Sequence, residues 1–303
     1  MGSRPPGDLP APEDLATPGG TLRVLRAFGI RPRKRFGQHF LTSRHVLERI
    51  VREAAVGPGD RVLEVGAGIG TLTVALAATG AEVVAVEVDR TLLPALRAVI
   101  AAFPRVRLVE GDIMALDLSA LAGPGPVTVA ANLPYGIASQ LLVRLLETLR
   151  QLRRAVVTVQ AEVAGRLAAA PGTPAYGLLS VLVQYRARPT VVLRVPPGAF
   201  LPPPEVESAV VRLDPHPAPP VAVLDEAAFF AVVRAAFAQR RKTLRRALAA
   251  LAGLTPDRAE AALRRAGIDP RRRGETLGLE EFARLSGALA GGNGPRGGEE
   301  GGR

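Results

Sequence analysis

An amide, two backbone carbonyls, a rigid proline and an aromatic ring stand together at Asn132-Leu133-Pro134-Tyr135, where the apolar run Val127 to Ala131 breaks off. A strand that ends there frees its carbonyls from the sheet, and the Asn side-chain oxygen adds a further acceptor. Those groups could hold a planar base by its amino group, or the four residues could form a proline-terminated turn that Asn and Tyr merely satisfy. Other residues bear on the choice. Glu64-Val65-Gly66-Ala67-Gly68-Ile69-Gly70 sets three glycines two apart behind an acid, with Thr71 where a dinucleotide fingerprint would have its third glycine. Gly66 and Gly68 let the backbone approach a ligand that has no pyrophosphate, which suits S-adenosylmethionine; a turn that needs glycine only for packing is the plainer reading. Glu87, 21 residues past Gly66, ends an apolar run and can accept from both hydroxyls of a ribose. Asp112 follows the next such run and can accept from an adenine amino group. Alone, each is an ordinary loop acid. Spaced one per successive strand end beside the glycine turn, they line one crevice and favour a nucleoside-containing cofactor.

Such a crevice requires strands and helices in alternation, and the chain supplies them. Strands are expected at Arg61 to Val65, Glu82 to Val88, Val106 to Val109, Val127 to Ala131 and Ala155 to Gln160, with helices at Thr71 to Ala78, Leu92 to Ala102 and Gln140 to Leu152. Before them, Val46, Leu47, Ile50, Val51 and Ala54 mark one face of a helix. Two further β-rich runs, Leu178 to Tyr185 and Thr190 to Val195, lead to a proline-stiffened loop at Pro196 to Pro204 that presents Phe200, and then to a strand at Ser208 to Leu213. The expected fold class is α/β, a doubly wound, Rossmann-like sheet. Pro215 to Pro220 reads as a linker to a small all-α domain, because proline at that density blocks both helix and sheet interior. The expected organisation is a tail over 1–20, a catalytic domain over 21–214, a helical domain over 221–290 and a second low-complexity tail over 291–303.

Charge points to the partner. The 303 residues carry a formal net charge of +11, with Lys34 and Lys242 the only lysines. Between 229 and 273 twelve basic residues face three acids, Asp257, Glu260 and Asp269. That excess exceeds what a solvated helix face requires and fits phosphate-backbone contact, with Arg240, Arg241, Lys242 and Arg245 as candidate RNA-binding residues. Genome base composition could explain the choice of arginine over lysine, but not the sign of the charge. With no cysteine, thiolate chemistry and disulfides are excluded, and His39, His45 and His216 are too scattered for a metal site. No signal peptide or membrane-length apolar run is present, so the default location is the cytoplasm, and a monomer is the expectation.

Several blocks, in order, resemble the small-subunit ribosomal RNA adenine dimethyltransferase family: Lys34 to Leu41, Glu64 to Gly70, Glu87-Val88-Asp89, Gly111-Asp112, Asn132 to Tyr135, Gln160 to Arg166, Tyr176 to Ser180, and Ala199-Phe200 with Ser208 to Leu213. The resemblance spans roughly residues 31 to 285. It implies transfer of two methyl groups from S-adenosylmethionine to the 6-amino nitrogen of each of two adjacent adenines in 16S rRNA during small-subunit assembly. It maps cofactor contacts onto His39, Leu41, Gly66, Glu87, Asp112 and Asn132. His39 and Ala161 depart from the family's usual Asn and Lys. In the reading this supports, Asn132 and a carbonyl of Leu133 or Pro134 accept both amino hydrogens of the base while Tyr135 and Phe200 stack on its faces. The alternatives are the related 23S rRNA adenine methyltransferases, which usually have Ile where Leu133 stands, and a non-catalytic RNA-binding assembly factor or transcription factor on the same fold.

Overall fold

The computed structural model describes residues 9–33, 37–239, 241–251 and 254–290. Lys34, Arg35, Phe36 and Arg240, together with 1–8 and 291–303 of the expected tails, lie outside the described residues. The chain forms two compact units, 1–168 with 186–216, and 169–185 with 217–303.

The first unit contains helices α1 (Pro18–Ala27), α2 (Arg44–Ala54), α3 (Thr71–Ala77), α4 (Leu93–Ile100), α5 (Leu118–Ala122), α6 (Ala138–Thr148) and α7 (Ala161–Leu167). Its strands are β1 (Phe40–Leu41), β2 (Arg61–Val65), β3 (Glu82–Glu87), β4 (Val106–Glu110), β5 (Val127–Asn132), β6 (Leu152–Gln160), β7 (Ala187–Val195), β8 (Phe200–Leu201) and β9 (Ser208–Pro215). Seven strands make one sheet in the order β4-β3-β2-β5-β6-β9-β7. Parallel pairing runs from β4 to β6, and β9 and β7 add antiparallel strands at one side. The inner strands read as unbroken apolar runs because helices cover both faces of a parallel sheet. Val62, Leu63, Val129 and Ala130 are accordingly buried. The edge strand β4 is only half buried. A two-stranded antiparallel ribbon pairs β1 with β8, Leu41 opposite Phe200 and Phe40 opposite Leu201.

Two expectations change in this unit and its neighbour. Residues 9–20 are not a tail: Pro12–Asp14 forms a 3-10 turn, Leu15 and Ala16 are each 1% exposed, and Thr17 caps α1 by accepting from the Gly20 N–H at 3.0 Å. A proline-rich composition concealed that anchor, since Pro18 at a first helical position favours the helix rather than breaking it. The run Leu178 to Tyr185 is not a strand but helix α8 (Leu178–Gln184), and it belongs to the second unit, so the sheet portion of the catalytic domain is interrupted at 169–185. An unbroken apolar run has no period to separate strand from helix. The discriminating signal is Ser180, whose hydroxyl accepts from the Gly177 N–H at 3.1 Å and stabilises the start of the helix.

The second unit completes itself with α9 (Glu226–Ala238), α10 (Leu244–Leu248), α11 (Pro256–Arg265) and α12 (Leu279–Ala290). Its core is aromatic: Tyr185 lies 5.0 Å from Phe229 and 5.1 Å from Phe230 between ring centroids. The Tyr176 hydroxyl donates to the Leu277 carbonyl at 2.9 Å. Burial pushes that phenol up to about 12, with Glu281 adding to the shift, so Tyr176 stays a neutral donor.

Candidate active site

Strand order reverses between β2 and β5, because the chain runs outward through β3 and β4 and then returns to build β5 and β6 on the other side. Loops diverge at such a point and leave a crevice at the carboxyl ends of the strands. Here the crevice measures about 570 Å3 and lies within the first unit, and Gly66, Gly68, Glu87, Asp112 and Asn132 all line it. The sequence-derived residues therefore converge on one cavity from four consecutive strand ends.

Its acidic side is a cradle of carboxylates in unlike environments. Gly66 and Gly68 adopt φ of +73° and +61°, left-handed values that glycine takes without strain, and the Gly66 and Ala67 N–H groups donate to the Val86 carbonyl at 2.9 and 3.1 Å. Glu87 accepts the Gly68 N–H on Oε2 at 2.7 Å and the Val88 and Asp89 N–H groups on Oε1 at 2.9 and 2.8 Å. Burial pushes its carboxyl up, and these three amides oppose the shift. One lone pair on Oε2 remains for a ligand hydroxyl. Asp112 is exposed and lines the crevice; its Oδ1 accepts the Met114 N–H at 2.9 Å, and Oδ2 has no protein partner among the described residues. Glu64, 1% exposed, is pushed up to about 8 by desolvation, partly offset by the Thr73 hydroxyl and reinforced by the charge of Glu87. Its Oε2 has no hydrogen-bond partner among the described residues.

Sequence reasoning missed how this cradle is closed. Gln38 Nε2 donates to Asp89 Oδ2 at 2.7 Å, Arg33 pairs with Asp89 Oδ1 at 3.4 Å, and the Gln38 carbonyl-type oxygen accepts the Arg33 N–H at 2.8 Å. Asp89 is buried, which would raise its pKa, yet the Thr91 hydroxyl and amide, Gln38 and Arg33 hold it below the usual carboxylate range. Residues 37–41 line the crevice beside these bonds. The one signal available was an acid immediately after Glu87-Val88, in a stretch otherwise apolar.

The other side is neutral. Asn132 Nδ2 donates to the His39 carbonyl at 2.9 Å. A carbonyl can only accept, so that bond fixes the orientation of the amide and leaves Oδ1 as the free end. The Pro134 carbonyl accepts the Ile137 N–H at 3.2 Å, whereas the Leu133 carbonyl accepts no hydrogen bond among the described residues. Tyr135 shares a 2.7 Å hydrogen bond with the Ser208 hydroxyl and stacks on His39 at 5.5 Å with planes 24° apart. Its phenol is raised by burial, with Ser208 opposing. Leu41 lines the crevice from β1. Phe200 departs from expectation: it is 3% exposed, packs in the core through the β1–β8 ribbon and is not among the residues lining the crevice. Pairing of Leu41 with Phe200 across 159 residues is a tertiary event that proline density could not reveal.

In the helical unit Arg241 and Lys242 are exposed, as is Arg246. Arg245 is instead held by Asp257 at 2.9 Å and Glu260 at 3.0 Å, which reduces its availability to a phosphate. Among the described residues no group of three or more His, Asp or Glu side chains could hold a metal ion, and no helix is long and apolar enough to cross a membrane.

The sequence model of the ribosomal RNA adenine dimethylase family matches residues 29–290. This chain belongs to that family. Ribosomal RNA small subunit methyltransferase A of Moorella thermoacetica is 48% identical over 286 residues, covering 91% of this chain and 99% of that protein. Its namesake in Pelotomaculum thermopropionicum is 48% identical over 285 residues, covering 90% and 96%. Among solved structures, a dimethyladenosine transferase from Plasmodium falciparum shares the fold at a TM-score of 0.69 and 24% identity, covering 81% of this chain and 95% of that one. The 23S rRNA methyltransferase ErmE reaches a TM-score of 0.64 at 27% identity, with 82% and 99% covered. The dimethylase family thus includes this chain across both of its units, and the identity to small-subunit enzymes exceeds that to ErmE by a wide margin.

Proposed function

We propose that this protein transfers methyl groups from S-adenosylmethionine to the 6-amino nitrogens of two adjacent adenines in 16S rRNA, two per base, during assembly of the small ribosomal subunit. The observation that carries the reading is the pair of acceptors left at the end of β5, Asn132 Oδ1 and the Leu133 carbonyl, beside a crevice whose opposite wall is lined with acids. That wall fits the cofactor: Glu87 keeps one acceptor site for a ribose hydroxyl, Asp112 keeps Oδ2 for an adenine amino group, and the glycine turn leaves room for close backbone approach. When bound, the cofactor supplies an electrophilic methyl group on a sulfonium.

The residues of the chain do the rest. An adenine amino group is a poor nucleophile, because its lone pair is delocalised into the ring. In the first transfer to each base, Asn132 Oδ1 and the Leu133 carbonyl accept its two N–H bonds and turn the lone pair out of the ring plane toward the methyl carbon; in the second, one N–H remains to be held. Leu133 serves rather than Pro134, since the Pro134 carbonyl is already engaged by Ile137. Transfer leaves the cofactor as a neutral thioether, and the ammonium formed on the base releases one proton to water. Positive charge developing on nitrogen is stabilised by the two oxygens, and no strong base is required. Tyr135 offers a ring for a base taken out of its stack. Phe200, buried in the core, supports the ribbon that carries Leu41. Arg241, Lys242 and, outside the described residues, Arg240 supply phosphate contacts, with a smaller share from Arg245.

Incubation with labelled S-adenosylmethionine and unmodified small subunits, followed by mapping, tests the reading. Two adjacent dimethylated adenines in 16S rRNA are expected. Label confined to 23S rRNA would overturn the substrate, and cofactor binding without transfer to any subunit would favour a non-catalytic assembly factor.

A further inference from the structure

His39 makes three contacts that tie separate parts of the chain together. Its backbone carbonyl accepts from Asn132 Nδ2, its Nδ1 lies 2.7 Å from the Pro202 carbonyl, and its ring stacks on Tyr135. Because a carbonyl only accepts, Nδ1 carries a hydrogen and is the donor to Pro202. Tyr135 is held at its other end by Ser208, which is fully buried at the start of β9. The phenol ring is thus fixed at its hydroxyl by one strand and along one face by an imidazole that is itself fixed by the loop after β8.

We propose that the His39 side chain is a positioning residue for methyl transfer: it sets the plane of the Tyr135 ring and locks the segment around Pro202 to the segment that orients Asn132, leaving the opposite face of Tyr135 to receive the base. This rests on the reading that Tyr135 stacks on a substrate base. The role differs from a cofactor contact, since both side-chain interactions of His39 point to protein groups. It also separates two functions by chemistry. The hydrogen bond to Pro202 needs an N–H donor, and the stacking needs a flat ring.

The test uses the full-length protein with His39→Ala, His39→Asn, which keeps a donor without the ring, and His39→Phe, which keeps the ring without the donor. Single-turnover transfer at saturating S-adenosylmethionine and small subunits is expected to fall on the order of ten- to a hundredfold in His39→Ala, the scale set by slight misplacement of reacting groups. His39→Asn and His39→Phe each restore part of that loss. Dissociation constants for cofactor and subunits should stay within about threefold, a rate-only signature that a merely structural defect in a smaller folded fraction would not produce after normalisation to active sites. A second readout needs no turnover. The chain has three tyrosines, so 3-fluorotyrosine labelling gives a small 19F spectrum in which Tyr135→Phe identifies the Tyr135 signal. His39→Ala should shift or broaden that signal and leave the other two in place. An unmoved Tyr135 signal, a full transfer rate, or a loss expressed wholly as weaker cofactor binding would each overturn the proposal. Failure of the wild-type protein to methylate any subunit would count against the enzymatic reading instead, with the fluorine spectrum still deciding whether His39 sets the ring.

Discussion

The two walls of the crevice use opposite chemistry. On the β2–β4 side stand three carboxyls: Glu64, raised by burial, Glu87, raised by burial against three backbone amides, and Asp112, which accepts one. On the β5 side, Asn132, Leu133 and Tyr135 are neutral and are oriented by partners that leave a chosen atom free. Ionised acceptors make stronger hydrogen bonds and suit ligand holding, whereas a reacting nitrogen needs acceptors that stabilise a transient charge without capturing a full proton. On the proposed function, affinity and rate are assigned to different strands.

Breaking the neutral wall should cost most. Asn132→Ala is expected to lower single-turnover methyl transfer on the order of a hundredfold or more while RNA affinity changes little, by analogy with loss of one transition-state hydrogen-bonding group. Near-normal transfer by this variant in a filter assay would remove the amide from the mechanism. Breaking the acidic wall should show the reverse. Glu87→Ala should weaken S-adenosylmethionine binding by about 2 kcal/mol, the usual worth of a hydrogen bond to a charged group, with the rate at saturating cofactor largely kept. Calorimetry decides it, and a pure rate loss at unchanged affinity would erase the distinction between the walls.

Glu64 sharpens the comparison from within, because it is an acid that burial has made neutral. Its folded-state pKa of about 8 lies above the ordinary 4.5, so the folded protein binds more protons than the unfolded chain between those values. Its contribution to stability is therefore fully present below about pH 4.5 and is lost as pH rises to about 8, at up to ~1.4 kcal/mol per pH unit. Glu64→Gln should flatten that decline, so urea denaturation at pH 5 and pH 8.5 should show a smaller difference in the variant. An identical pH dependence would mean that Glu64 is not neutral in the folded state. The smallest effect concerns long-range charge. Replacing Arg241 and Lys242 with Ala should reduce the salt slope of RNA binding by about 1.4 in total. Arg245→Ala should change it less, because Asp257 and Glu260 already hold that guanidinium. A larger change for Arg245 would show that its ion pairs open on binding.

The sheet and the acids were legible because each rests on local pattern. β2 spans Arg61–Val65 as its apolar run implies, Glu87 ends β3, and Asp112 follows two residues after β4 ends at Glu110. What escaped depends on partners distant in the chain. Glu64 looks like any acid in an alternating segment until helices bury both sheet faces. Phe200 reads as an exposed platform until β8 pairs with β1. The run 178–185 has no period, so its helix rests on the Ser180 cap and on packing against α9 in the second unit, and nothing in Gln38 alone discloses that it reaches Asp89.

The bond between His39 and Pro202 spans 163 residues, and that separation has a consequence in time. Synthesis at about 5–20 residues per second means that the segment which orients Asn132 waits on the order of ten seconds before the residues that lock it exist. Glycine turn, acids and Asn132 all emerge earlier. A nascent chain of this protein can therefore assemble the greater part of its cofactor cradle while the aromatic end of the crevice is still unfinished, and a chain halted before residue 202 would lack the clamp altogether.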